Sequence, residues 1–152
     1  MRTSGILLPI FSLPNSYGIG TLGKEAYNFV DFLEKCHQTY WQVLPIGPTS
    51  YGDSPYQSFS VFAGNPYFVD LENLHKKGLL TRDELNKSRQ STPYSCEFER
   101  LSRDRVNLLI EASQRVSEEQ KATINTFVDE HEHIKDFCVF MALKDANENK
   151  EW

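Results

Sequence analysis

The fold is decided by residues 5–45, which read GILLPIFSLPNSYGIGTLGKEAYNFVDFLEKCHQTYWQVLP. The apolar run at 5–9 is typical of a short strand buried on both faces. Residues 11–23 are rich in Gly, Pro, Asn and Ser and predict a loop. Residues 24–37 carry apolar side chains at helical spacing, and residues 40–44 form a second strand candidate. This order predicts a βαβ unit with parallel strands and a right-handed crossover.

A long aromatic loop follows the second strand candidate. Residues 45–66 read PIGPTSYGDSPYQSFSVFAGNP, far beyond the roughly 2–6 residues usual for connections in such units. Its centre combines two tyrosines with three short hydrogen-bonding side chains: Tyr51, Asp53, Ser54, Tyr56 and Gln57. A pyranose offers an apolar face for stacking and a rim of hydroxyls, so this mixture predicts a sugar-binding site. The alternative is a tyrosine-rich turn packed under the sheet.

The chain changes character near residue 72. Six of the seven prolines and seven of the eight glycines precede it, whereas the rest is charged and glycine-poor. Residues 67–69 predict a short strand, Asp70 a helix N-cap and Gly78 a helix stop. Apolar stripes at helical spacing cover 98–116 and 117–143. Capping-box patterns predict helix starts at Thr81 and Ser117.

Charge and composition exclude several classes of protein. With 16 basic and 21 acidic residues, the 152-residue chain has a net charge of −5, which argues against binding to nucleic acid or to an anionic membrane. No apolar run approaches the roughly 20 residues of a spanning helix. Three cysteines, far apart and odd in number, form no disulfide framework and predict a reducing, cytoplasmic setting.

Two short motifs are weak candidates for cofactor or metal sites. The string GIGTLG at 18–23 matches the dinucleotide pattern as text, but the long lead-in after the first strand lacks the tight strand–turn–helix that such binding needs. His131 and His133 are two residues apart, and on a helix such positions do not share a face. Asp53 has no obvious carboxylate partner in its loop, so the pair that glycoside chemistry needs is not formed there. We therefore expect no metal, no cofactor and no catalytic residue in this chain.

Four ordered motifs resemble one family. GILLP with SLP, YGIG with LG, YWQVLP with GP, and YGDSPYQS through FAGNPY cover residues 5–71 almost without a gap. They are similar to the N-terminal part of 4-α-glucanotransferases (amylomaltases, disproportionating enzymes) of glycoside hydrolase family 77. The resemblance implies an α/β fold, the N-terminal part of a (β/α)₈ TIM barrel with a helical insertion, incomplete in this chain. Residues 1–71 would form the first βαβ unit with the substrate-binding loop 45–66, and 72–152 a mainly helical insertion and the approach to later strands.

The resemblance also implies an activity. Family members transfer a segment of a 1,4-α-D-glucan to the 4-hydroxyl of another glucose or glucan by a retaining double displacement, in starch, glycogen and maltodextrin metabolism. Their catalytic carboxylates lie on later barrel strands, which have no counterpart here. Tyr56 resembles the tyrosine at the attacked glucose, with Ser54 beside it. Tyr51 resembles a tyrosine of a secondary glucan groove, whose second aromatic would fall near Ser102.

The resemblance leaves more than one role open for the chain. It implies that the partners are maltooligosaccharides and α-1,4-glucans. It also implies that this chain is part of a larger parent enzyme and that, on its own, it is inactive and poorly soluble. The alternative is a stand-alone, non-catalytic α-glucan-binding module, or an inactive remnant.

Overall fold

The computed structural model describes residues 2–49 and 52–147. Strand β1 (Gly5–Leu7) pairs in parallel with β2 (Tyr40–Gln42), with Gly5 opposite Tyr40 and Leu7 opposite Gln42. Helix α1 (Lys24–Lys35) connects the two strands. The predicted order of strand, helix and parallel strand is therefore confirmed, with strands shorter than the apolar runs that predicted them.

From residue 71 onward the described chain is mainly helical, as the second half of the sequence predicts. Asp70 caps the first of these helices by accepting a hydrogen bond from the Asn73 backbone N–H at 2.8 Å, and Gly78 follows it with a φ of 75°. Complete capping boxes at Thr81 and Ser117 start two more helices. The five helices are α2 (Leu71–Lys76), α3 (Arg82–Lys87), α4 (Phe98–Ser113), α5 (Glu118–Glu130) and α6 (His133–Ala146).

Two predictions about helices and strands are wrong. Residues 67–69 do not form a strand: Pro66–Phe68 form a 3₁₀ turn in which the Asn65 side chain accepts from the Tyr67 N–H at 2.9 Å. An Asn cap followed by proline favours a helical start, and it overrides the β-propensity of the aromatic residues. The apolar stripe over 117–143 is also not one helix, since α5 and α6 meet at a corner.

The core lies beside the loop that joins β1 to α1. One cluster gathers side chains from that loop, from α1, from the 3₁₀ turn at 66–68 and from α4: Ile10, Leu13, Ile19, Ala26, Phe68 and Leu101. A second gathers Tyr17, Leu71, Leu79, Leu80, Leu85 and Ala112. Residues 11–23, predicted as a loop from their glycines and prolines, thus supply Leu13 and Ile19 to the first cluster and Tyr17 to the second.

Helix α4 ties these segments together through Arg105, which is 3% exposed. Its guanidinium donates to the backbone carbonyls of Tyr17 and Val69. Burial lowers the pKa of Arg105 to about 10, and the negative charge of Asp70 opposes that shift. The side chain therefore stays charged at neutral pH while it crosslinks the first loop to the segment before α2.

Two glycines of the GIGTLG string are required by close packing. A Cβ on Gly20 would lie 2.0 Å from the Ile10 carbonyl oxygen, and one on Gly23 would lie 2.0 Å from the Asp70 carboxylate. At both positions the absence of a side chain lets the glycine backbone lie close to another segment of the chain. The string therefore serves the packing of this loop, as expected from its poor fit to dinucleotide binding.

The strands are not buried on both faces within the described residues. Ile6 is 40% exposed, Leu7 55% and Tyr40 61%. The described chain gives this sheet two strands, so nothing in it covers the outer edges. Exposed apolar side chains also occur on α1, with Tyr27 at 72%, and on α6, with Val139 at 59%.

Candidate functional site

The centre of the long loop is a tight turn that presents Tyr56. The Ser54 carbonyl accepts from the Gln57 N–H at 3.1 Å, and the Ser54 hydroxyl accepts from the Tyr56 N–H at 3.4 Å. Ser54 is half-buried, whereas the Tyr56 side chain is 73% exposed and Gln57 is exposed. The turn thus brings together Asp53, Ser54, Tyr56 and Gln57 of the predicted site, while Tyr51 lies outside the described residues.

The base of the loop is closed by backbone pairing. The Asn65 N–H donates to the Ile46 carbonyl at 3.1 Å, and Thr49 pairs with Ser58 in an antiparallel bridge. A Cβ on Gly47 would lie 2.6 Å from the Ser58 hydroxyl, so the two arms approach closely at that glycine. The long loop is therefore a narrow projection with a fixed base, and its tip holds the predicted sugar-binding side chains.

Asp53 occupies a constrained position beside this turn. Its backbone is left-handed, with a φ of 54°, a conformation that Asp tolerates better than most residues. Burial raises the pKa of the Asp53 carboxyl. Burial also raises the pKa of the Tyr67 hydroxyl, the charge of Asp53 raises it further, and Arg105 opposes both. The negative charge of Asp53 therefore acts on the half-buried Tyr67 hydroxyl, at the point where the chain leaves the loop.

The arm that leaves the turn packs on helix α6, a contact that the sequence did not predict. The ring of Phe59 lies 5.9 Å from that of Phe140 and the ammonium of Lys144 lies 5.0 Å from its centre. The Phe62 ring lies 5.3 Å from that of His133. The signal available in sequence was the run SFSVF, whose aromatic residues continue beyond the tyrosines.

The chemistry of the turn is that of binding. Tyr56 offers an exposed aromatic face and a hydroxyl, and Ser54, Gln57 and Asp53 offer short polar groups, which together suit a ligand with apolar faces and hydroxyl rims. Asp53 is the one acidic residue in 45–66, so the loop by itself supplies no carboxylate pair. The residues of this turn line neither of two surface cavities of about 440 and 460 Å³.

A search of residues 2–49 and 52–147 finds no group of three or more metal-ligating side chains. The His131 and His133 rings lie 5.9 Å apart at the corner between α5 and α6, so the reasoning that set them on one helix was wrong about their placement. Across the same residues, no helix is both long and apolar enough to span a bilayer.

Comparisons with known proteins decide the family. The model of the 4-alpha-glucanotransferase family, glycoside hydrolase family 77, matches residues 8–152. The chain belongs to the 4-α-glucanotransferase family. It is 46% identical over 137 residues to the 4-alpha-glucanotransferase of Clostridium butyricum, covering 89% of this chain and 28% of that protein. It is 43% identical over 154 residues to that of Streptococcus pneumoniae, covering 99% of this chain and 30% of the relative.

A solved structure of the same family shares the fold. The amylomaltase from Streptococcus agalactiae in complex with acarbose is 40% identical, with a TM-score of 0.93 over 100% of this chain and 32% of that one. The chain thus spans about a third of the length of these 4-α-glucanotransferases. The resemblance drawn from the four sequence motifs is confirmed.

Proposed function

We propose that this chain forms the N-terminal part of a 4-α-glucanotransferase that transfers a segment of a 1,4-α-D-glucan to the 4-hydroxyl of a glucose or glucan. The observation that supports it best is the turn at 54–57, which holds Tyr56 exposed on a fixed base in a chain of this family. Maltooligosaccharides and α-1,4-glucans are the proposed ligands, and the transfer is a retaining double displacement. Tyr56 stacks on the sugar, while Ser54, Asp53, Gln57 and Tyr51 complete the binding wall.

We further propose that the parent fold is a (β/α)₈ barrel. Parallel sheets are normally covered on both faces, whereas β1 and β2 leave Ile6, Leu7 and Tyr40 exposed. In a complete barrel, further strands would cover these side chains. Residues 1–71 would be the first βαβ unit and 72–152 the helical insertion and approach to later strands. The loop 45–66 follows the carboxyl end of β2, the side on which such barrels build their active sites.

A chimeric enzyme tests the proposed activity. Residues 1–152 are joined to the part of the Streptococcus pneumoniae enzyme that lies beyond its match to this chain, and glucose release from maltotriose is measured. We expect activity, and a rise in KM of about two- to tenfold for Tyr56→Ala, because one aromatic contact is removed. Tyr94→Ala is the matched control, since Tyr94 is 84% exposed but lies on another loop. An inactive, folded chimera, or equal effects of both variants, contradicts the proposal.

The isolated chain is proposed to be inactive and poorly soluble. The transfer needs two carboxylates, which we place on barrel strands outside this sequence, and the uncovered parallel strands favour association between chains. Soluble, monomeric chain that disproportionates maltotriose would contradict this. We also propose a reducing, cytoplasmic location, since Cys36, Cys96 and Cys138 carry exposed free thiols.

A further inference from the structure

The arm of the substrate loop touches one stripe of helix α6. Along α6, Phe140 lies seven residues after His133, and Lys144 lies eleven residues after it. This spacing places all three on one face of a helix. Phe62 contacts the first of them, and Phe59 contacts the other two. The contact therefore extends along most of the helix and joins segments about 80 residues apart in the sequence.

The arm is also directly connected to the turn that holds Tyr56. Phe59 is three residues beyond Tyr56 and adjacent to Ser58, which pairs with Thr49 across the loop. Tyr56 is 73% exposed, so its orientation depends on its backbone more than on packing of its ring. The Tyr56 N–H donates one long hydrogen bond of 3.4 Å to the Ser54 hydroxyl, and the Gln57 N–H donates a second, of 3.1 Å, to the Ser54 carbonyl. A loop of this length keeps one conformation only if further contacts offset the entropy of ordering it.

We propose that Phe140 is a positioning residue: by packing on Phe59 it fixes the arm, and the arm fixes the turn that presents Tyr56 to the sugar. Lys144 supports the same contact, with its ammonium over the Phe59 ring. The significance for glucan binding rests on the proposed function, but the mechanical link between α6 and the turn does not. Helix α6 then acts on substrate binding without touching the substrate.

Hydrogen exchange measures this link without any need for activity. The experiment uses the chimera described above, in which the conformation seen here is expected because it matches part of a longer amylomaltase chain with a TM-score of 0.93. With Phe140→Ala, we expect the amides of 56–63 to exchange about two- to tenfold faster, as loss of one aromatic pair implies. The Gly20 amide, bonded to the Phe11 carbonyl at 3.1 Å, is the internal reference and stays unchanged.

Two further variants separate positioning from general damage to α6. Val139→Ala shortens a neighbouring side chain of the same helix that is 59% exposed, and we expect it to leave exchange at 56–63 unchanged. Phe140→Leu keeps an apolar side chain against Phe59, and we expect it to restore part of the protection. The proposal is overturned if Phe140→Ala leaves exchange at 56–63 unchanged, or if Val139→Ala accelerates it equally.

Kinetics then connect the link to substrate binding. For Phe140→Ala in an active chimera, we expect the maltotriose KM to rise about two- to tenfold with kcat changed less than about twofold, the pattern of lost uniform binding. A fall in kcat at constant KM would overturn the role in substrate binding. An inactive chimera with the predicted exchange pattern would refute the proposed function while supporting the link between α6 and the turn.

Discussion

The sharpest test of the fold is Gly20→Ala. The added Cβ would lie 2.0 Å from the Ile10 carbonyl oxygen, 2.8 Å from that of Leu13 and 2.9 Å from the Leu13 nitrogen. All three are backbone atoms, so no side chain can rotate away, and the chain must move by about 1 Å. Overpacking of this kind costs about 1–3 kcal/mol and at times more. We expect the upper part of that range, about 3 kcal/mol, because the Gly20 N–H also donates to the Phe11 carbonyl.

That magnitude is large enough to measure in this chain. With a urea dependence of about 1–3 kcal/mol per molar for a domain of this size, a loss of 3 kcal/mol lowers the unfolding midpoint by roughly 1–3 M. The unfolding midpoint can be measured by brief proteolysis across a urea series. A sub-micromolar chain concentration limits association through the exposed strands. Gly64→Ala is the control, since a Cβ added at Gly64 would have no neighbour within 4 Å. An unchanged midpoint for Gly20→Ala would refute the close approach of these two backbones.

Two more predictions concern charge and backbone strain. Hydrogen bonds from Arg115 and Thr81 hold the pKa of the Glu84 carboxyl below its usual value of 4.5. The ionised carboxylate therefore stabilises the folded chain above that pH, and this stabilisation is lost as the pH falls further. Glu84→Gln should flatten the acid dependence of the urea midpoint between pH 5 and about 3. If both proteins lose stability in parallel, the Glu84 contacts are not formed. Asp53→Ala should destabilise the loop by about 1–2 kcal/mol because alanine resists a positive φ, whereas Asp53→Gly should not. Exchange rates of the 54–58 amides compare the two variants, and equal rates would contradict the left-handed backbone.

Local patterns in the sequence were sufficient for several helix starts. Asp70, Thr81 and Ser117 predicted helix starts that are confirmed, because a cap depends on three or four adjacent residues. These features are set by short-range geometry, which a single sequence contains.

Features that depend on distant contacts were not predictable in this way. The packing of Phe59 on Phe140 joins residues with no shared local pattern. The strand expected at 67–69 is wrong for a different reason, because the local Asn65 cap outweighs the β-propensity of these residues. The burial of residues 11–23 was also missed, since their glycines and prolines are typical of surface loops. For the aromatic contact and for the buried loop, tertiary contacts outweigh the local preference.

The crosslink made by Arg105 has a consequence for how the family can vary in length. Here α4 supplies Leu101 to the core beside the first loop and Arg105 to the carbonyls of Tyr17 and Val69. Deleting α4 would leave those carbonyls and the core beside the first loop exposed, so α4 and the loop that joins β1 to α1 form one structural unit, and shortening is expected only in the segments outside α4.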